Sequence, residues 1–325
     1  SSAMKSLALL YIAAYRASGM SSSYLTRARF LSSTAATFMT SATVLASDPA
    51  TCQARSNSID NFSGNNPRYI DREIEMQYDG SNPRTRGVLV RRFTGDSTPY
   101  KFPVTPIRLV TQWPEDPPFT SRDFEREDES DDQNFYAIPR LVYHIDEPAV
   151  ASLTQYYRNN IPPGSEILDI CSSWVSHYPL EFPKIMKRIS ATGISALELK
   201  LNDQLTDYEA KNLNKDLTLP YPDQSFDAVT CVVSIDYMNK PIEVLKEVHR
   251  VLKPGGKVII SQSNRCFPSK AIRMWLGMND RQHLELINAY FQYAGGFKER
   301  QAFDITATVP SGYRDPMFIV EAIKE

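Results

Sequence analysis

The sequence predicts an α/β fold with a doubly wound, largely parallel sheet behind an irregular N-terminal extension. Three observations predict it. Asp227 to Val233 is an apolar-rich run with β-branched residues, as expected of a strand covered on both faces. Pro241, Leu245, Val248 and Leu252 recur at helical spacing, and Pro241 suits a first helical position, where its missing N–H is not needed. Lys253-Pro254-Gly255-Gly256 stops that helix with glycines able to take a left-handed cap, and Lys257 to Ser261 reads as the next strand. Strand, crossover helix and strand in this order make a parallel βαβ unit.

Composition narrows the function classes. The chain has 325 residues, 42% hydrophobic and 23% charged, enough for one large α/β domain with appendages. A net charge of −2 gives no global basic field to recruit nucleic acid or an anionic membrane. Cys52, Cys171, Cys231 and Cys266 are far apart, without the paired spacing of a zinc site or a disulfide framework. No stretch approaches the ~20 apolar residues of a membrane-spanning helix.

Taken in order, residues 1–47 hold Lys5, Arg16, Arg27 and Arg29 but no Asp or Glu, a bias of targeting segments. An apolar run behind Lys5, followed by a Ser/Arg-rich stretch, resembles the composite presequences of complex plastids. The expected location is an organelle, plastid favoured over mitochondrion; the alternative is an ordered N-terminal extension. Residues 48–134 read as an irregular extension and acidic linker. Within them Thr51 to Asn66 is loop-like. Arg84 to Thr94 alternates apolar and basic residues, as a half-buried strand would. Arg86, Arg91 and Arg92 lack the interleaved aromatics of a nucleic-acid groove, so a solvated strand face is expected. Phe102 to Pro118 is Pro-rich and extended, suited to wrapping the domain. Glu125 to Asp132 reads as a solvated acidic linker, since it lacks the glycine and spacing of a calcium loop.

Residues 135–325 form the expected main domain. Pro148 to Asn159 is its first helix; Glu166 to Val175 is its first strand and turn; Ile189 to Ser195 is the second strand, and a third precedes Asn214. Beyond the βαβ unit, Ala271 to Leu276 and Asp280 to Ala294 are expected helices. Gln301 to Thr308 and Met317 to Ile323 are an expected final antiparallel pair.

Phe226-Asp227-Ala228-Val229 and Arg250-Val251-Leu252-Lys253-Pro254-Gly255-Gly256, with Leu219-Pro220-Tyr221-Pro222-Asp223 ahead of them, resemble the class I S-adenosylmethionine-dependent methyltransferases of the type 11 branch. The resemblance covers roughly Phe135 to the C-terminus. It implies a Rossmann-like, seven-stranded sheet of order 3-2-1-4-5-7-6 and S-adenosylmethionine as cofactor. Members carry D-x-G-x-G-x-G after the first strand, because glycines let the backbone turn tightly and approach the cofactor. Here Asp169 is retained and the glycine positions hold Cys171, Ser173 and Val175. The acid that takes the ribose hydroxyls falls on Ser195, with Glu198 the nearest carboxylate. Asp216 and the N–H of Leu217 match the adenine contacts, and Ser234 lies in the loop that faces cofactor and acceptor.

The remaining candidates keep two readings each. Trp174 is a ligand-stacking group or packs under the next helix. His177 is a general base or a partly exposed polar residue, and Asp236 is a base or part of a capped loop. His144 lies in a segment expected over the cofactor, as a contact or as a structural hydrogen bond. Asn264 and Arg265 are placed at the acceptor pocket, Arg265 facing an anionic acceptor or a surface acid. The expected function is methyl transfer to a small-molecule acceptor. The alternative is an inactive, methyltransferase-like structural or assembly subunit gripping protein partners of a plastid or mitochondrial complex.

Overall fold

The computed structural model describes residues 68–77, 85–96 and 98–325. The targeting-type segment at 1–47, the stretch at 51–66 and Cys52 lie outside them, as does the side chain of Arg86. The first two strands, β1 (Tyr69–Gln77) and β2 (Thr85–Phe93), pair antiparallel with each other, Tyr69 opposite Phe93. The alternating stretch is therefore a strand. Arg91 pairs with Asp71 at 2.7 Å, while buried Arg92 reaches Asp203 at 2.6 Å.

The main sheet follows in chain order as β3 (Thr105–Ile107), β4 (Glu166–Ile170), β5 (Arg188–Gly193), β6 (Asp207–Ala210), β7 (Phe226–Val232), β8 (Leu252–Gln262), β9 (Phe297–Asp304) and β10 (Phe318–Lys324). Across the sheet they lie β3-β9-β10-β8-β7-β4-β5-β6. Without β3, and counting from β4, the sheet reads 3-2-1-4-5-7-6 from the β6 edge. The pairs among β6, β5, β4, β7 and β8 are parallel, and β10 runs antiparallel to both β8 and β9. The sheet thus has eight strands rather than seven. The eighth, β3, comes from the extension and pairs with β9, Pro106 opposite Phe303; a proline is tolerated there because β3 is an edge.

Strand periodicity sorts the core into two layers. In β4, Ile167 joins the cluster around the Glu147–Asn160 helix, and Leu168 joins the cluster around the Pro241–Val251 and Asp280–Ala294 helices. Asp146 caps the first of these helices, its side chain accepting from the N–H of Ala149 at 3.0 Å. The crossover helix ends at Val251, one residue before β8 begins, and buries Val244, Leu245, Val248 and Val251. Each such side chain contributes about 1.5–3 kcal/mol on burial.

The residues that carried the family resemblance prove to be structural. Lys253 Nζ reaches Asp227 at 2.9 Å and Glu166 at 2.8 Å, tying the starts of β4 and β7 together. Arg250 donates to the carbonyls of Leu219 (3.0 Å) and Tyr221 (2.9 Å) and pairs with Asp223 at 2.8 Å, which pins the loop before β7.

The extension wraps this domain. Val110 exchanges hydrogen bonds with Glu285 and Asn288, and Phe119 packs edge-on against Tyr290 and Tyr293, all on the Asp280–Ala294 helix. The acidic run is not a solvated linker. Asp132 is buried and holds both Arg126 (2.8 Å) and Lys270 (3.2 Å), Asp128 holds Lys270 at 3.0 Å, and Asp131 holds Lys215. Cations of the domain and the buried guanidinium of Arg126 draw these carboxylates in, making residues 125–144 a strap over the carboxyl edge of the parallel strands. No helix among the described residues is long and apolar enough to cross a membrane.

Candidate cofactor and acceptor site

The strap roofs a cavity of about 440 Å3 at the carboxyl ends of β4, β5 and β7, where open α/β sheets bind ligands. The turn after β4 forms its floor. Asp169, buried at the end of that strand, accepts from Ser172 Oγ at 2.6 Å and Thr230 Oγ1 at 2.9 Å. Burial nonetheless pushes its carboxyl up to about 6.

The three replaced glycines behave differently from one another. Cys171 takes the left-handed conformation at φ 55°, whereas neither Ser173 nor β-branched Val175 has a positive φ. Hydrogen bonds replace glycine freedom elsewhere in the turn: Asn202 Nδ2 donates to the Ser173 carbonyl (3.1 Å) and Ser176 Oγ (2.8 Å), and the Ser172 N–H to the Thr192 carbonyl (2.7 Å). The close approach is transferred to Gly193 at the end of β5, where a Cβ would run into the Ser172 carbonyl oxygen. His177 (57°) and Val233 (38°) are also left-handed, so three strained residues line one cavity.

Asp169, Cys171, Ser173, His177, Ser195, Ser234 and Arg265 all line the cavity. Ser195 also caps the short Ala196–Leu201 helix, accepting from the Glu198 N–H. His177 is buried, with Nδ1 lacking a hydrogen-bond partner, and burial drives it down to about 3, with further lowering from neighbouring His144 and Arg92. Arg265 pairs at 2.8 Å with Asp315, a buried acid rather than a surface one.

Five expected site residues stand off the cavity lining. Trp174 is buried, donates to the Val142 carbonyl at 3.1 Å and packs on Tyr143, so it anchors the strap instead of stacking on a ligand. Asp216 is exposed, with its carboxylate taken by Lys211 at 2.6 Å. Leu217 packs against the core. Asn264 is exposed and donates to Tyr313 Oη at 2.9 Å. Asp236 is buried inside the fold, both oxygens without partners, and burial forces it far above the usual carboxylate range.

The sequence reading missed Asn212, Gly193, Tyr136, Arg140 and Phe267. Asn212 is the telling case. It sits at the head of the loop after β6, where its Oδ1 accepts from the Asn214 N–H at 2.9 Å, while its buried Nδ2 has no partner and the residue lines the cavity. The Asn-x-Asn pattern of a side-chain-capped turn was visible in the sequence and would have marked it. His144 also lines the cavity, edge-on to Phe267 at 5.5 Å, and burial, then Arg140, holds it below the ordinary histidine value.

Residues 176–260 match the family described as "Methyltransferase domain". The matched stretch starts just past the altered turn. A demethylmenaquinone methyltransferase of Bacillus mycoides is 31% identical over 120 residues, 33% of this chain and 48% of that protein. A malonyl-[acyl-carrier protein] O-methyltransferase of Marinomonas is 32% identical over 66 residues, 20% of this chain and 24% of that one. The chain thus spans about half or less of the length of these relatives. A solved S-adenosylmethionine-dependent methyltransferase of Mesorhizobium loti is 16% identical, with a TM-score of 0.37 over 54% of this chain and 98% of its own. The matched stretch, which runs from just past the altered turn into β8, is similar to methyltransferase domains, and the sheet around it is of the doubly wound, Rossmann-like type.

Proposed function

We propose that the chain transfers a methyl group from S-adenosylmethionine to a small-molecule acceptor in this cavity. The observation that carries the reading is the open cavity itself: losing three glycines has not filled the groove at the carboxyl ends of β4 and β5. The residues present fit the cofactor. Gly193 leaves room where a Cβ would close the turn, Asn212 offers an unpartnered buried amide, and Asp169 is a hydrogen-bonded carboxylate on the floor. Asp169, the Cys171–Ser173 backbone, Ser195 and Asn212 would hold the cofactor, whose bound sulfonium supplies an electrophilic methyl group.

The chain's own part is chiefly positioning, which can supply much of the barrier reduction in a transfer between two bound reactants. The strap covers the cavity and is held down by Asp132, which accepts from Asn214 as well as from its two cations. His144 is the candidate proton acceptor if the acceptor group must lose a proton, while burial, which drives His177 down to about 3, makes that imidazole a weak base. The relatives named above are methyltransferases of demethylmenaquinone and of a malonyl-[acyl-carrier protein], which supports a methyl acceptor other than nucleic acid. No observation favours an inactive subunit.

Calorimetric titration of the full chain with S-adenosylhomocysteine tests the reading. The extension must be kept, because β3 belongs to the sheet and the strap roofs the site. Micromolar binding is expected; a folded protein that gives no heat at millimolar ligand would overturn the reading.

A further inference from the structure

Arg126, Arg140, Lys211, Arg265 and Lys270 are the cations lining the cavity. Four of them are neutralised by carboxylates: Arg126 by Asp132 (2.8 Å), Lys211 by Asp216 (2.6 Å), Arg265 by Asp315 (2.8 Å) and Lys270 by Asp128 (3.0 Å). Arg140 has no carboxylate partner among the described residues. Glu198 accepts the backbone N–H of Arg140 at 2.7 Å and feels the charge of the guanidinium without forming an ion pair with it. The guanidinium instead lies over the ring of Phe135 at 4.2 Å and that of Phe267 at 5.1 Å, which fixes its plane. One terminal nitrogen makes a long 3.5 Å contact to the Phe135 carbonyl, and Nε is buried with no acceptor at all.

A guanidinium that is oriented, partly desolvated and short of acceptors is a receptor awaiting an anion. Its planar fork matches a carboxylate, which would also satisfy the orphaned Nε. One free fork suits a single negative charge better than a phosphate dianion, since the other four cations are already paired. His144 stands on the same strap, edge-on to Phe267, so an anion held by Arg140 lies beside a neutral imidazole.

We propose that Arg140 is the carboxylate receptor of this cavity, a positioning residue that orients a ligand by its acid group. The inference rests on reading the cavity as a ligand site. The carboxylate has two sources: the amino-acid end of the cofactor, or the methyl acceptor. Both are the same chemistry to Arg140, and binding separates them.

The test is calorimetric titration of the full chain, Arg140→Met and Arg140→Lys with S-adenosylhomocysteine, with 5′-methylthioadenosine, which lacks the amino-acid end, and with benzoate. Methylthioadenosine should bind all three proteins alike. Arg140→Met should lose about tenfold or more in affinity for a carboxylate probe, with Arg140→Lys, which keeps the charge without the fork, in between. A loss confined to S-adenosylhomocysteine assigns Arg140 to the cofactor. A loss confined to benzoate, measured on protein saturated with S-adenosylhomocysteine, assigns it to the acceptor. If Arg140→Met does not fold, Arg140→Lys carries the same comparison. Unchanged S-adenosylhomocysteine binding, with benzoate bound equally or not at all, would overturn the proposal and leave Arg140 a packing group. If the wild-type chain binds neither adenosyl probe, the methyltransferase reading falls on its own. Benzoate binding to the free chain, lost in Arg140→Met or not, then decides Arg140.

Discussion

Asp169, near the end of β4, and Asp236, just after the neighbouring parallel strand β7, are both almost wholly buried. Their fates differ because their hydrogen bonds differ. Asp169 takes two hydroxyl donors and opens onto the cavity, so burial lifts it only to about 6 and it is largely ionised at neutral pH. Asp236 takes none, and burial keeps it protonated. Two acids at equivalent-looking ends of strands thus become an anionic anchor and a neutral filler. Burial by itself does not make a site; donors that stabilise the charge and access to a ligand do.

The sharpest way to break this contrast is Asp169→Ala. It should weaken S-adenosylhomocysteine binding by about 100-fold, ~3 kcal/mol, as expected for losing a charge-assisted contact in a dry site. Binding within a factor of three of the wild type would remove Asp169 from the site.

The pH dependence follows with its sign. Both acids have folded-state values above the unfolded one, so the folded chain binds more protons and each group's contribution declines as pH rises. For Asp169 the decline runs from about pH 4 to about pH 6 and amounts to roughly 3 kcal/mol. Denaturant midpoints measured at pH 4.5 and 7 on wild type and Asp169→Asn isolate it. The wild type should lose more stability than the variant across this interval, and parallel losses would contradict the assignment.

Asp236→Leu removes two orphaned oxygens. It should raise stability at pH 8 by about 1–2 kcal/mol and leave S-adenosylhomocysteine affinity alone. A variant that still binds cofactor but has lost methyl transfer would restore Asp236 as a participant. The smallest effects separate Asn212 from Asp216. Asn212→Ala should weaken S-adenosylhomocysteine by about fivefold, near the ~1 kcal/mol of one hydrogen bond, whereas Asp216→Ala should leave it unchanged. The reverse pattern would return the adenine contact to Asp216.

That last pair shows why part of the site was illegible in the sequence. Asp216 is a carboxylate four residues past Asn212 on the same loop, and the family pattern made it the natural choice. The loop turns at Asn212, whose carbonyl accepts the N–H groups of Lys215 and Asp216, and this directs the Asp216 side chain outward to Lys211. Trp174 similarly had an aromatic face to offer, but its N–H found the Val142 carbonyl on the strap. By contrast, the helix at Asp280–Ala294 and the strand β7 were read almost to the residue, because their periodicity and end signals are local.

The sequence by itself determined the βαβ unit, the parallel sheet and the resemblance to methyltransferases. The residues responsible act locally or as ion pairs between neighbouring strands: Pro241 at a helix start and Lys253 with Asp227; the expected glycine cap is not used, since the helix ends at Val251 with Leu252 extended and Gly255 lies within β8. Only the tertiary structure decided that the acidic run is a strap, that Gly193 takes over the close approach lost from the turn after β4, and that Arg140 is left without an acid. Each depends on which group meets which across about 20 or more residues of chain. Hydrogen-bond satisfaction and desolvation are properties of that meeting, not of the residue type.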